Sequence, residues 1–108
     1  MSWTLESAEA RAKAAPRTFL IPCLEIRERL AAGDLAKLIF VQHEPPAGER
    51  MWVRVEKATG NGDYSGTLMC QPATMEYPKL GEVVFFSAKH VADIARAQGD
   101  GHGTPAFI

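Results

Sequence analysis

This chain of 108 residues has no excess of either charge: twelve lysines and arginines meet thirteen aspartates and glutamates, leaving a net charge of -1 with the histidines neutral. That balance creates no long-range field to gather nucleic acid or anionic lipid, so neither is an expected partner, although a local patch stays open. Cysteine is scarce. Cys23 and Cys70 stand far apart, without a CxxC pair, a ligand cluster or the histidine and asparagine context of a thiol nucleophile. The histidines His43, His90 and His102 lack the short spacing of a zinc site, so no metal and no cofactor is expected. No apolar run approaches the roughly 20 residues of a membrane span. The opening "MSWTLESAEARAKAAP" carries acids early and lacks the apolar segment of a secretory signal, which points to a reduced, cytoplasmic setting. The glycines of "GNGDYSG" have no GK[ST] ending and no helix after them, so they punctuate a turn and do not cradle a phosphate.

What is present suits one globular domain. Hydrophobic residues make up 46% and charged residues 23% of the chain, ordinary values for a sequence able to build a core. Residues 1–98 are expected to form that domain and 99–108, rich in glycine, a flexible tail. Thr4 can cap a first helix that Pro16 stops, with Leu5, Ala8 and Ala12 on one face. In "TFLIPCLEIRERLAAGD", Pro22 suits a first helical position and Gly33 a terminal cap. Cys23, Ile26 and Leu30 would line the buried face of that second helix, with Arg27, Glu28 and Arg29 in water.

From there the period changes to two. "LAKLIFVQH" reads as a strand and "EPPAGE" as a loop. Met51, Val53 and Val55 alternate toward a core while Arg50, Trp52, Arg54 and Glu56 face the other way. "ATGNGD" turns the chain, and Tyr64 to Cys70 returns antiparallel, with Tyr64, Gly66, Leu68 and Cys70 on one face and Ser65, Thr67 and Met69 on the other. "QPATMEYPKLGE" is a longer connection and "EVVFFS" another strand, while "AKHVADIARA" fits either a short helix or the turn and strand that close small barrels. The sum is an α+β domain: one or two N-terminal helices on a strongly bent antiparallel sheet of four to five strands, or a small, partly open barrel.

Two groups of residues stand out for function. Arg50, Trp52 and Arg54 set an aromatic between two guanidinium groups on one strand face, the arrangement that holds anions and bases. The competing explanation covers Trp52 with the N-terminal helix and leaves the arginine heads in water, with Ser65, Thr67 and Met69 making the surface mixed. His90 and Asp93 are three apart, which would align them as an acid-base pair on a helix and split them on a strand. Glu44, Glu49 and Glu76 lie in or beside loops with no evident partner for paired-carboxylate chemistry.

The pieces "FLIP", "AAGDLAKLIF", "GERMWVRV", "YSGTL", "KLGEVVFF" and "KHVADI", in that order over Phe19 to Ile94, resemble the YegJ-like family of small bacterial domains of unknown function. The most specific elements are Glu49 to Val53, Gly66 with Leu68, Leu80-Gly81 and His90 to Ile94. Members commonly carry an asparagine two residues before the proline that follows the second hairpin strand, where this chain has Cys70. The resemblance implies a compact α+β module and no particular activity. The expected function is a non-catalytic module binding a protein partner or a small anionic ligand through Arg50, Trp52 and Arg54, as a monomer or weak homodimer. The alternatives are a small enzyme using His90 and Asp93, assisted by Arg50, and an assembly role in which the first helix or Phe107-Ile108 docks on a partner.

Overall fold

A computed structural model describes residues 3–96. The expected tail, His102 and Phe107-Ile108 lie outside the described residues. Order along the chain is β1 (Thr4–Leu5), α1 (Ala8–Ala14), α2 (Leu24–Arg27), β2 (Leu35–His43), β3 (Pro46–Ala58), β4 (Asp63–Leu68), β5 (Val83–Ser87), a 3-10 turn (Ala88–His90) and β6 (Val91–Ala95). All strand pairs are antiparallel, and the sheet runs β1-β2-β3-β4-β5 with β6 also on β2. The sheet curls strongly into a half-barrel, which makes the domain α+β as its pattern requires.

The concave face holds the main core. Leu38, Phe40, Met51, Val53, Val55, Leu68, Val84 and Val91 are buried there, so the alternation of Met51, Val53 and Val55 has the expected sense. Tyr64, Gly66 and Leu68 of the return strand share this interior, also as expected. Gly66 is required by close approach: a Cβ there would lie 2.4 Å from the Arg54 carbonyl oxygen and 2.6 Å from Val53 Cγ1. β3 shifts register between Val55 and Lys57 beside it, a bulge that bends the hairpin.

The N-terminal region departs from expectation twice. Thr4 does not cap a helix, because Thr4 and Leu5 pair with Val41 and Phe40 as a short strand. Ser7 takes the cap instead, its hydroxyl accepting from the Ala10 N–H at 3.1 Å. The second helix is only Leu24–Arg27; Leu30 is buried and Glu28 and Arg29 are exposed as expected, but Cys23 and Ile26 are exposed and Arg27 is buried. The cause is side-chain capture of the backbone. The Tyr64 hydroxyl donates to the Arg27 carbonyl at 2.7 Å and accepts from the Leu30 N–H at 3.2 Å, while the Ala31 N–H goes to Asp34 Oδ2 at 2.9 Å, so the next helical turn has lost its partners. Burial pushes the Tyr64 phenol above its ordinary pKa, which keeps that donor protonated.

Arg27 is buried because it binds three elements at once. Its Nε donates to the Pro22 carbonyl at 2.7 Å, and its Nη1 donates to Glu9 of α1 at 2.7 Å and to the Ala88 carbonyl at 2.8 Å. α1 thereby lies over the convex face of β2 and β6, where Ala8, Ile39 and Ala92 are buried with Phe19, Ile21 and Val41 against them.

Two connections are also tighter or better held than expected. "EPPAGE" is mostly strand, since β3 begins at Pro46 opposite His43 and only Glu44 and Pro45 make the turn. The long connection after β4 is pinned by Glu49, whose carboxylate accepts from the N–H groups of Ala73, Thr74 and Met75 and from the Thr74 hydroxyl at 2.7–3.2 Å. After β5, the chain takes the turn-and-strand course of a closing barrel and not the short helix.

Candidate functional site

Every strand residue that does not enter the core emerges on the convex face, half of which α1 leaves uncovered. The register arranges that half in cross-strand rows: Asp93, Lys37 and Trp52; then Arg54, Thr67 and Val83; then Lys57, Ser65 and Phe85. Arg50, Trp52 and Arg54 therefore share a face, as the alternation requires, with Ser65 and Thr67 beside them.

Each of the three already has an intramolecular neighbour. Arg50 places its guanidinium over the Phe19 ring, 5.3 Å from its centroid. Trp52 is half-buried, with Lys37 Nζ over its ring, 4.9 Å from the centroid. Arg54 donates from Nε to Glu56 Oε2 at 2.9 Å, and the Thr67 hydroxyl meets the same oxygen at 3.0 Å. Those bonds with Arg54 and Thr67 hold the Glu56 carboxyl below its ordinary pKa, so the pair stays ionised and the charge of Arg54 is locally compensated.

The open end of the same face is different. A groove of about 490 Å³ lies beside the β5 end of the sheet, where the exposed Phe85 ring is joined by Lys57, Lys89, His90 and the acidic Asp63. Phe85 is 76% exposed and Val83 56%. Lys57 and Lys89 make no ion pair among the described residues. An exposed phenyl ring sharing a groove with two ammonium groups can hold an apolar body with a negative head.

His90 enters this groove from the 3-10 turn. Its Nδ1 accepts from the Ser87 N–H at 3.0 Å and lies 3.4 Å from the Ser87 hydroxyl. Burial, with Lys89 beside it, pulls the imidazole below its ordinary pKa and so favours the neutral ring, in which acceptance at Nδ1 leaves the proton on Nε2. Asp93 stands elsewhere, on β6 in the Lys37 row, its carboxylate accepting from the Ile94 N–H at 2.8 Å. No hydrogen bond or ion pair joins His90 to Asp93 among the described residues. Arg50 lines a different cleft, with Glu49 and Arg11.

Among the described residues no three histidine, cysteine or acidic side chains are grouped as metal ligands, and no helix is long and apolar enough to cross a membrane. Both cysteines are free thiols.

Sequence reasoning passed over Lys57, Phe85 and Lys89. A signal was available: two successive phenylalanines in a strand must point to opposite faces, so "VVFFS" sends one of them outward whichever register it adopts. Which one goes outward follows from the pairing of Phe86 with the buried Tyr64, whose rings stack at 5.2 Å.

No protein-family model matches this chain, and neither a curated protein nor a solved structure does.

Proposed function

We propose that this domain is a non-catalytic binding module whose ligand is a small anion with an apolar or aromatic body, held in the groove around Phe85. One observation carries this: a phenylalanine three-quarters exposed lines one groove with Lys57 and Lys89, neither of which is ion-paired among the described residues even though Asp63 lines the groove too. Leaving that much aromatic surface in water forgoes burial worth about 2 kcal/mol, a cost a surface can carry where it is used. Arg54, one row from the groove, and Trp52, two rows away, would extend the contact for a longer ligand or a protein partner, but their partners within the chain compete.

Calorimetric titration with aromatic carboxylates and aromatic phosphates tests the proposal. Binding is expected to weaken by at least about tenfold in Lys57→Glu and Lys89→Glu, each worth at least one charge contact near 1.4 kcal/mol. An affinity unchanged in both variants would contradict it.

The resemblance to the YegJ-like family, a bacterial origin and a cytoplasmic location belong to the same proposal. In its support, several positions that carry the resemblance have evident structural work: Glu49 clasps the long connection, Gly66 allows close approach, Gly81 takes φ of 89° and His90 caps the end of β5. A signature with such duties marks a fold and not a reaction. The enzyme alternative at His90 and Asp93 would need the two groups to meet; exchange of either for alanine would then abolish an activity while leaving the fold intact.

A further inference from the structure

Among the described residues β5 ends the sheet, and no lysine, proline or bulge occurs within "VVFFS" to keep that edge apart. The hydrogen bonds at its two ends decide which backbone groups are free. Leu68 N–H donates to the Glu82 carbonyl at 2.9 Å, and Ala88 N–H donates to the Gly62 carbonyl at 2.8 Å. Antiparallel alternation then turns the amides and carbonyls of Val84 and Phe86 toward β4, and those of Val83, Phe85 and Ser87 outward from the edge. His90 Nδ1 takes the outward N–H of Ser87. Among the described residues, the groups of Val83 and Phe85 and the carbonyl of Ser87 remain as a short open ladder.

We infer that this edge pairs antiparallel with β5 of a second copy of the chain, about a two-fold axis at Phe85. In that register Phe85 meets Phe85 of the other copy and Val83 meets Ser87, whose amide His90 already holds, so the Val83 carbonyl stays with water. Phe85 exchanges a reciprocal pair of bonds, and the Val83 N–H reaches the Ser87 carbonyl at either end. The two phenylalanines stand on the same convex face as a cross-strand aromatic pair, which shields much of the surface each leaves open alone. Charge selects a second copy in this orientation: Glu82 lies before one end of β5 and Lys89 beyond the other, so the antiparallel arrangement brings Glu82 of each copy toward Lys89 of the other, whereas a parallel one sets like beside like. Glu82 is exposed and already tied to its own turn by a bond from the Lys79 N–H at 3.1 Å, which fixes its place. A five-residue strand makes a small interface, so the association belongs in the micromolar to millimolar range.

Sedimentation of the full chain across that range is expected to show the mass rising from one chain toward two. Phe85→Pro removes an N–H that β4 does not use, and is expected to keep the chain monomeric at every concentration while its far-ultraviolet dichroism stays unchanged. Should that variant lose its fold, the charges decide. Glu82→Lys and Lys89→Glu are each expected to weaken the dimer by roughly tenfold, two repulsive contacts arising per dimer, and the double exchange to restore it. A chain that stays monomeric throughout, or a dimer indifferent to all these substitutions, would overturn the inference.

Discussion

The convex face of the sheet is two surfaces. Around Ile39 of β2 and Ala92 of β6 it is covered: Ile39 is 4% exposed beneath Ala8 of α1, and Phe19 and Ile21 complete the layer. Over β4 and β5 it is bare, with apolar side chains of similar size standing in water. Both halves belong to one sheet, and each carries apolar side chains. What separates them is Arg27, which draws α1 onto one half through Glu9 and the Ala88 carbonyl, while no described element reaches the other. An apolar side chain in the covered half is therefore part of the fold, and one in the bare half is available for contact.

The largest blow to this division is expected from Arg27→Ala. It strands the Pro22 and Ala88 carbonyls and releases α1, and should cost about 4 kcal/mol in denaturant unfolding. Glu9 is partly exposed and can recover water, which keeps the loss from exceeding that. Ile39→Ala opens a cavity in the covered half and should cost about 3 kcal/mol. In the bare half, Phe85→Ala removes a larger side chain and is expected to change stability by less than about 0.5 kcal/mol at concentrations where the chain is monomeric. Equal losses at Ile39 and Phe85 would erase the distinction.

Much of the covered architecture can be read from periodicity. The parity of Met51, Val53 and Val55 is visible because polar residues separate them, and the return strand inherits its parity from a short turn. Arg27 defeats the same logic. In "LEIRERL" it sits among charges that ordinarily face water, and its three acceptors come from Glu9, Pro22 and Ala88, none of which local spacing can reveal. Glu49 fails similarly, being a loop-side acid until the amides of residues 73–75 are folded over it. At the candidate site, Trp52 and its arginines were conspicuous by chemistry alone, whereas the importance of Phe85 depends on its being left uncovered, a property of tertiary structure.

Glu49 allows a finer test. Its removal from water opposes ionisation, but the amides of Ala73, Thr74 and Met75 outweigh that and hold its carboxyl below the ordinary 4.5. A carboxylate with a depressed native pKa stabilises the fold fully above its unfolded pKa, and the contribution disappears as pH falls through the native value. Glu49→Gln should therefore cost about 1 kcal/mol at pH 7 and show a shallower loss of stability below pH 4.5 than the parent chain. The histidine at the end of β5 gives a smaller effect in another window. With a native pKa below 6.5, His90 favours the fold while neutral, and stability should decline as pH falls from 6.5 through that lower value. Exchange for glutamine is expected to flatten that part of the stability curve.

The most direct test of the bare half as the working surface is a map of backbone amide shifts during titration with an aromatic carboxylate, at concentrations low enough to keep the chain monomeric. Shifts at Lys57, Ser65, Phe85 and Lys89, with Ala8, Ile39 and Ala92 unmoved, are the predicted result. Shifts centred on the layer beneath α1, or on the Arg50 cleft with Phe85 silent, would contradict it.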